Sequence, residues 1–575
     1  MKLTDYVAEY LSKKVGHVFC GNGGVVVHLL DSISRREEEI GDIELIPMQH
    51  EQSASIAAEA YARIHGFGVA IATSGPGFVN IIQGMACAYF DSIPVLYIVG
   101  SCPTGHQNKG QARQQGFQEI DVCGMVKSIT KLSFRLDDPS AIGRLIDMLC
   151  EVAITGRPGP VLLEVPDDFQ RWDGNVCHFL PHEIDPVKVN SPVLAYAQAI
   201  HEMLMKAQCP LVIVGGGVKI GRAQKLANDF LYKSEIPYVC TWATKDTVAS
   251  FYNSCIGTFG INGPIHANEI VQDADLIISF GCKLDTHQTG GNPRSFAPKA
   301  QIVAIDIDCA ELEKENGRII NLKVCVDLND LLLALNFLDY SALVENIAAW
   351  RGYISGICEN QTYVIPEAQE KTRAVNPYYF MKRLARYCAN DAVIVTDAGA
   401  TLTWTMQAFQ PKPGQQLFSA FNHSPMGYAL PAAIGAYYAT HGEREIICII
   451  GDGGFAMCHT ELTTVKQKNI PLKMFVLDNK GYGIMRQTQD TWLEGRHTAI
   501  DSDSGLPMPP IWPLCVAHGL IPETIVGFAV DSQMVKFFAP ITILPEKALI
   551  GIVSIANDAQ IKPKLIFGKS IGDME

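Results

Sequence analysis

The chain has 575 residues, of which 48% are hydrophobic and 18% charged, with 49 glycines, a composition typical of a large α/β enzyme. This length predicts about three domains, each with its own core. No uninterrupted apolar run approaches the roughly 18 residues needed to span a bilayer. A formal net charge of -14 argues against a nucleic acid partner held by bulk attraction.

The N-terminal residues Leu3, Val7 and Leu11 recur at helical spacing among charged residues. This pattern predicts an amphipathic helix rather than a signal peptide. The 17 cysteines are scattered along the chain and form no Cys-x-x-Cys pair. We therefore expect a cytoplasmic protein with neither disulfides nor a zinc site.

Apolar runs that end in Gly, Ser or Pro turns alternate with helical patterns, which predicts three α/β domains with doubly wound parallel sheets. The strand-like runs before the third domain's motif are His17–Phe19, Val69–Ala72, Val95–Val99, Val161–Val165, Leu211–Val214, Leu276–Phe280, Ile302–Ile305 and Ala392–Val395. The predicted domains cover residues 1-175, 190-345 and 371-545, followed by a tail of residues 546-575 that periodicity does not place. Polar stretches at 172–192 and 341–375 are predicted connectors.

The third domain contains a Gly-Asp-Gly-Gly turn that carries Asp452 directly after the apolar run Glu445–Ile450. A helical pattern, Phe455–Gln467, and a second apolar run, Leu472–Leu477, then lead to Asn479. Both polar residues thus fall at neighbouring strand ends, beside a helix N-terminus that favours a phosphate. One carboxylate, one amide oxygen and a loop carbonyl suit Mg²⁺ that keeps phosphate oxygens as its other ligands. The alternative is a common strand-ending turn without a ligand.

The spacing of 27 residues from Asp452 to Asn479, in this strand–helix–strand context, resembles the thiamin diphosphate (ThDP) motif. The resemblance implies ThDP and Mg²⁺ as cofactors, with Asp452, Asn479 and the Gly481 carbonyl as metal ligands. The other residues that it places around ThDP are Gly23, Glu51, Gly399, Ala400, Thr401, Met426, Gly453, Gly454 and Tyr482. At Gly399 to Thr401 the family more often has Gln-His.

In the first domain, Glu51 stands at the first turn of a helix rich in small residues, Gln52–Ile64. A glutamate that merely complements the helix dipole is the alternative. The segments around Glu51, and others in the same order along nearly the whole chain, resemble the acetohydroxyacid (acetolactate) synthases. The matching segments are His50–Gln52, Ala57–Arg63, Ala72–Gly77, Gly116–Glu119, Gly156–Val161, Met426–Gly427 and Leu430–Gly435.

The resemblance implies a pyrimidine-binding first domain, a central FAD-binding-like domain and a diphosphate-binding third domain. Glu51 would contact the aminopyrimidine ring and drive its tautomer exchange, while Gln118 and Phe117 would lie near the reactive carbon as further catalytic residues. The family forms its active sites at the interface of a homodimer or homotetramer, with Glu51 of one subunit facing Asp452 and Asn479 of the other.

The middle domain carries Gly215-Gly216-Gly217 directly after a strand. The next glycine is Gly221, so this is not a clean GxGxxG pattern, and a simple strand-end turn is the alternative. The residues that align in order with the family's FAD-binding positions are Arg157, Gly215, Gly216, Gly217, Thr241, Trp242, Gly260, Ile261, Asn262, Gly281, Lys283, Asp285, Asp306, Ile307, Glu311 and Asp327. The resemblance therefore implies FAD in a largely structural role.

Three positions of the expected acceptor pocket depart from the acetolactate synthase pattern. His287, Asp167 and Thr488 stand where the family has an arginine, a lysine and a tryptophan. A charge-assisted arginine–carboxylate contact contributes on the order of 1.5–3 kcal/mol, so its loss disfavours a carboxylate acceptor. The alternative is that Lys283 or Arg486 supplies the missing charge.

The run Gly481–Trp492 resembles members of this branch that are associated with surface-sugar biosynthesis, some of which transfer an acetyl unit from pyruvate to a nucleotide-linked keto sugar. We expect a ThDP-dependent carboligase that acts in this way, with no nucleic acid or membrane partner. One alternative is an acetolactate synthase that condenses two 2-keto acids. Others are a non-carboligating decarboxylase of a 2-keto acid or acyl-CoA, and a catalytically silent binding subunit.

Overall fold

The computed structural model describes residues 1–108, 110, 112–176, 191–253, 255–314, 317, 319–359, 372–538, 547–565 and 568–574. Residues 177–190 and 360–371 of the two predicted connectors lie outside this part of the chain. The described residues form two compact units. The first unit is drawn from Met1–Glu183, Ala392–Leu402 and Phe418–Asn557, and the second unit from Ile184–Asp391, Thr403–Leu417 and Asp558–Glu575.

The first sheet has six parallel strands in the order β2-β1-β3-β4-β6-β5. Its strands are β1 (His17–Cys20), β2 (Glu44–Pro47), β3 (Gly68–Ala72), β4 (Val95–Ser101), β5 (Leu132–Arg135) and β6 (Val161–Pro166). Its helices are α1 (Leu3–Ser12), α2 (Val27–Glu39), α3 (Glu51–His65), α4 (Pro76–Phe90), α5 (Val122–Val126), α6 (Ile142–Ile154) and α7 (Asp167–Gln170). Every residue of β3 and β4 is buried, as expected for a parallel sheet covered on both faces.

The second sheet has five parallel strands in the order β11-β10-β9-β7-β8. Its strands are β7 (Pro210–Val214), β8 (Tyr238–Cys240), β9 (Leu276–Phe280), β10 (Gln301–Asp306) and β11 (Leu322–Cys325). The helices are α8 (Ser191–Lys206), α9 (Gly216–Ile220), α10 (Gln224–Ser234), α11 (Lys245–Val248), α12 (Ile265–Asp273), α13 (Thr286–Thr289), α14 (Cys309–Leu312), α15 (Leu328–Leu335), α16 (Ser341–Asn346) and α17 (Ala348–Glu359). The last two are helical where a connector was predicted.

The third sheet has six strands in the order β13-β12-β14-β15-β17-β16. Its strands are β12 (Val393–Thr396), β13 (Gln416–Phe418), β14 (Ile446–Gly451), β15 (Lys473–Asp478), β16 (Glu523–Ile525) and β17 (Leu549–Ser554). The helices are α18 (Pro377–Tyr387), α19 (Ala400–Ala408), α20 (Ala429–Ala439), α21 (Asp452–Cys458), α22 (Leu462–Gln467), α23 (Gly483–Trp492), α24 (Ile511–Ala517) and α25 (Val530–Phe538). Strand β17 comes from the C-terminal segment that periodicity did not place.

The first and third sheets share one strand order, 2-1-3-4-6-5 in order of appearance. In all three sheets the direction of strand addition reverses between the first and third strands in chain order. The topological switch points therefore lie at β1/β3 in the first sheet, β7/β9 in the second and β12/β14 in the third. Ligands of open α/β sheets bind at the carboxyl ends of strands beside such a reversal. The prediction of three parallel-sheet α/β domains is confirmed.

Helices α3 and α20 occupy equivalent places in their repeats, and they pack against each other through small residues. A Cβ added to Gly435 of α20 would lie 2.1 Å from the carbonyl oxygen of Ala57 in α3. Beside this contact the Tyr428 hydroxyl donates to buried Glu59 at 2.7 Å, and Arg63 pairs with Glu59. The first and third sheets are therefore held together inside the first unit by a helix contact that has no room for a side chain at Gly435.

The cysteine prediction is wrong at one pair. Cys309 and Cys325 are joined by a disulfide with a Cα–Cα distance of 5.3 Å. The first begins α14 after β10 and the second ends β11, so two neighbouring parallel strands bring them together.

Among the described residues, no helix combines the length and apolarity needed to cross a membrane.

We predict that Gly435→Ala lowers the melting temperature, because overpacking a filled contact costs about 1–3 kcal/mol. Gly352→Ala is the control, since it also lies inside a helix but its added Cβ would have no neighbour within 4 Å. At position 352 the gain in helix propensity should raise the free energy of unfolding by about 0.5–1 kcal/mol. Differential scanning calorimetry of both variants measures the difference. Equal shifts would contradict the described packing.

Candidate active site

Glu51 begins α3, and His50 caps this helix by accepting a hydrogen bond from the Gln52 amide at 3.1 Å. Asn80 Nδ2 donates to Glu51 Oε2 at 2.9 Å. A Cβ on Gly21 would lie 2.3 Å from Glu51 Cγ. The Glu51 side chain can therefore lie over the end of β1 only because residue 21 is a glycine. The half-buried carboxylate is therefore held at the β1/β3 switch point.

The end of β3 offers unused hydrogen-bonding groups at the same place. The hydroxyls of Thr73 and Ser74 are buried and have no hydrogen-bond partner among the described residues. Gly23 lies against them, because a Cβ there would be 2.4 Å from Thr73 Cβ. Buried polar groups are normally paired, so these orphaned hydroxyls suit a polar ligand.

Gln118 and Phe117 lie on a loop that packs on the same strand end. Gln118 has a φ of 57°, and a Cβ on Gly75 would lie 2.8 Å from the Gln118 carbonyl oxygen. The Glu119 carboxylate closes the loop by accepting from the Gly116 amide at 3.0 Å. Burial acts to raise the pKa of Glu119, but the loop amides lower it below its usual value. The Phe117 ring is 85% exposed.

Asp452 begins α21 at the end of β14 and is only 3% exposed. Its carboxylate accepts from the Gly481 amide at 2.9 Å and from the Gly453 amide at 2.7 Å. Burial, reinforced by the charge of Asp478, raises the pKa of Asp452 to about 7. Asn479 is also buried and follows β15, the neighbour of β14 in the sheet. The structure thus brings the two predicted polar ligands to adjacent strand ends.

Side chains of two loops converge over the first turn of α21. A Cβ on Gly453 would lie 2.4 Å from Tyr482 Cε1 and 2.8 Å from Met426 Cε. The Tyr482 amide donates to the Ile500 carbonyl at 2.8 Å, which holds its loop in place. Met426 and Tyr482 therefore border the turn that carries Asp452.

Asp397 is a site residue that the sequence reasoning missed. It is 1% exposed at the end of β12, and it accepts hydrogen bonds from the amides of Ala398, Gly427 and Ala429 at 2.9, 3.1 and 2.9 Å. Burial raises its pKa to about 6. By holding the Gly427 amide it positions the Met426 loop. A polar residue directly after an apolar strand, the pattern that revealed Asp452, could have identified it.

The predicted loop Gly399, Ala400 and Thr401 follows Asp397 at the β12/β14 switch point. Gly399 has a φ of 75°, and Thr401 is buried close to Gly451. A Cβ on Gly454 would lie 2.7 Å from Asp397 Oδ1, so both strand ends approach closely. A buried carboxylate of raised pKa, a buried amide and glycine-lined backbone fit a divalent cation and a diphosphate, since the cation would offset the unbalanced charge.

In the second unit, two of the predicted glycines, Gly215 and Gly217, pack closely against a third, Gly281, on the loop after β9. A Cβ on Gly215 would lie 2.3 Å from the Gly281 carbonyl oxygen, and a Cβ on Gly217 would lie 2.7 Å from Gly281 Cα. Gly216 differs, because the nearest atom to its added Cβ is Ala243 Cβ at 3.4 Å. The Gly216 backbone is therefore the most open of these glycines, beside the β7/β9 switch point where ligands of open α/β sheets bind.

Trp242 follows β8 and His287 follows β9, and their ring centroids lie 4.4 Å apart with the ring planes at 69°. The Trp242 indole nitrogen is buried without a partner among the described residues. Burial lowers the pKa of His287, so its imidazole is neutral at neutral pH. Gly260 and Ile261 border this pair, since the Ile261 amide donates to the His287 carbonyl at 3.0 Å.

The other FAD-predicted residues of this unit lie at the ends of strands of the second sheet or on the loops and helices that follow them, namely Thr241, Asn262, Lys283, Asp285, Asp306, Ile307, Glu311 and Asp327. Asp285 caps α13, and Asp327 caps α15. Arg157 belongs to the first unit, where its Nε donates to Ser92 Oγ at 2.9 Å.

The predicted acceptor residues are divided between the two units. Asp167 pairs with Arg171 at 2.8 Å, and Thr488 Oγ1 donates to the Ile484 carbonyl at 2.8 Å within α23. No hydrogen bond or ion pair among the described residues joins Asp167 to Thr488. His287 belongs to the second unit.

Arg486, the alternative source of positive charge, is already engaged. It is 8% exposed, pairs with Asp501 at 2.7 Å and donates to the Asn557 carbonyl. An arginine held in this way is not free to bind a substrate carboxylate.

Three family models match the chain in order. They are the N-terminal TPP binding domain, the central domain and the C-terminal TPP binding domain of thiamine pyrophosphate enzymes, over residues 1–125, 197–335 and 397–526.

Curated relatives match along most of the chain. It is 34% identical over 485 residues to the acetolactate synthase isozyme 2 large subunit of Escherichia coli (strain K12), covering 84% of each protein. It is 31% identical over 503 residues to the acetolactate synthase large subunit of Porphyra purpurea, covering 85% of this chain and 82% of that protein. Identity to the large subunit of Lactococcus lactis subsp. lactis (strain IL1403) is 31% over 487 residues, covering 84% and 81%.

Since each of the three sheets is matched by the family model of the corresponding domain, the chain belongs to the thiamine pyrophosphate enzyme family and is an acetolactate synthase-like, ThDP-dependent carboligase of the transferase type.

Proposed function

We propose that the enzyme decarboxylates pyruvate and transfers the hydroxyethyl/acetyl unit to the carbonyl of a nucleotide-linked keto sugar. The observation that supports this acceptor is His287, a neutral imidazole packed on Trp242 at the position of the family's arginine. A neutral imidazole can donate to a hydroxyl or carbonyl oxygen, but it does not balance a carboxylate charge. Arg486 supports the same keto-sugar acceptor, because its pairing with Asp501 leaves it unable to balance a substrate carboxylate.

Bound ThDP would supply the nucleophilic carbon and the electron sink for decarboxylation. Asp452, Asn479 and the Gly481 carbonyl would hold Mg²⁺ against its diphosphate, with Met426 supporting the thiazolium end. Glu51 would share a proton with the pyrimidine N1′ atom through Oε1, because Asn80 already engages Oε2. Gln118 would orient the substrate or its product.

We extend the proposal to the assembly and to the flavin. The site would be completed by a second copy of the chain, whose Asp452 half would cover Glu51 and the exposed Phe117 ring. FAD would bind at the β7/β9 switch point in a structural role, with its pyrophosphate on the Gly216 backbone and the Trp242 indole nitrogen as a donor.

A second candidate function is acetolactate synthesis from two 2-keto acids. It is favoured by the three relatives above, which are all acetolactate synthase large subunits at 31–34% identity. The two candidates differ only in the acceptor.

Glu51→Gln should slow C2 proton exchange of bound ThDP by at least about 10²-fold, the usual size of a general acid–base contribution. ThDP binding should persist, because the amide keeps the shape of the side chain. Proton exchange followed by NMR measures the rate, and Glu38→Gln, on the exposed face of α2, is the control. Exchange at the wild-type rate would remove Glu51 from the mechanism.

Two substitutions should separate the cofactor sites. Asp452→Asn should release ThDP and Mg²⁺ but retain flavin, because it removes the buried negative charge from the cation site. Gly216→Val should release flavin but retain ThDP, because its side chain would occupy the space above the loop. Cofactor content of the purified variants, by chromatography and metal analysis, provides the test. Loss of both cofactors from both variants would contradict separate sites.

The acceptor is tested by competition between a nucleotide-linked 4-keto sugar and 2-ketobutyrate, with pyruvate as donor. We expect the branched sugar product from wild type. His287→Arg should improve 2-ketobutyrate use about tenfold, the effect of roughly 1.4 kcal/mol from a new charged contact. Efficient acetohydroxybutyrate formation without sugar product would establish the second candidate. Aldehyde release without any ligation product would instead indicate a simple decarboxylase.

A further inference from the structure

The second unit contains a pocket of about 950 Å³ beside β8, an edge strand of the second sheet. Its walls come from β8, α11, α12, α17 and the segment 406–411. No residue predicted to bind FAD or the acceptor lines it. The volume is at the upper end of the roughly 300–1,000 Å³ of small-molecule pockets. This pocket is therefore a separate feature of the central domain.

Lys245 lines the pocket and is only 8% exposed. Its Nζ donates to the Met406 carbonyl at 2.5 Å, and no carboxylate of the described residues lies within ion-pair distance. The adjacent Asp246 does not balance it, because that carboxylate pairs with Lys219 and accepts from the Leu417 amide at 2.9 Å. A buried charge without a counter-charge is costly, so this ammonium group lacks an anionic partner.

Burial lowers the pKa of Lys245 to about 8, while the neighbouring Cys240 and Cys255 thiols act in the opposite direction. The amine is therefore still largely protonated at neutral pH, but it releases its proton more readily than a surface lysine. An anion in the pocket would stabilise the protonated form.

Apolar and polar groups contribute to the remaining walls in about equal measure. The apolar side chains include Val248, Phe251, Ile256, Ile357 and Pro411, and the polar side chains include Asn253, Thr258, Gln407 and Gln410. His266 Nε2 bonds to the Ile256 carbonyl at 3.1 Å, and Glu269 is an exposed residue at the rim. The apolar part of these walls can pack against an apolar body, while Lys245 can pair with one negative group.

We propose that this pocket binds an amphipathic small molecule with a single carboxylate, which pairs with Lys245, and a short apolar body that fills the space between α12, α17 and β8. The site lies outside the catalytic machinery, so the proposal does not depend on the identity of the acceptor.

Octanoate is a suitable probe, with octanamide as its uncharged analogue of the same shape. Isothermal titration of the holoenzyme should show octanoate binding at least tenfold tighter than octanamide. Lys245→Met should weaken octanoate binding at least tenfold, since Met keeps the volume and removes the charge. Lys299→Met is the control, because this exposed lysine of the same unit pairs with Asp273 and should leave binding unchanged.

A measurement on the unaltered protein covers the case in which Lys245→Met folds differently. Reductive methylation followed by mass spectrometry should show that octanoate protects Lys245 and leaves Lys299 modified as before. Absence of octanoate binding, equal binding by Lys245→Met, or methylation of Lys245 unchanged by octanoate would each overturn the proposal.

Discussion

The contact between α3 and α20 is the constraint on which the catalytic half of the molecule depends. Tyr428 directly precedes α20 and donates to Glu59 of α3, while Arg63 pairs with Glu59 and with Asp91. Glu59 and Asp91 are buried, and burying these carboxylates is tolerable only because each has a partner. The same helix begins with Glu51, and Tyr428 follows the loop of Met426. One packed contact therefore positions residues from both predicted halves of the ThDP site.

The shared strand order of the first and third sheets explains why the site residues lie where they do. Parallel strands deliver their carboxyl ends to one edge, and a reversal of order opens a crevice there. Glu51 and Gly23 lie at this edge of the first sheet, and Asp397 and Asp452 lie at the equivalent edge of the third. Both predicted halves of the ThDP site thus use the same topology, with different side chains at the strand ends.

Pairing decides which polar groups are available to ligands. Arg486 and Asp167 look like substrate-binding residues by position, but Asp501 and Arg171 already hold them. The Thr73 hydroxyl and the Trp242 indole nitrogen are buried without partners, and Lys245 has no counter-charge among the described residues. Because an unpaired buried polar group costs free energy, such groups persist where a ligand can pair with them. Pairing thus distinguishes candidate ligand sites from structural charges.

The sequence alone determined the organisation into three α/β domains, because strands buried on both faces are continuous apolar runs that periodicity detects. It also predicted that Asp452 and Asn479 fall at neighbouring strand ends, as the structure shows, whereas Glu51 was predicted from the family resemblance. It did not reveal β17 or the Cys309–Cys325 disulfide, which depend on which strands become neighbours. Nor did it show that Arg486 is occupied, that Asp397 holds the Met426 loop, or that Lys245 lacks a carboxylate. These facts join residues far apart in the chain, and only tertiary packing decides such pairings.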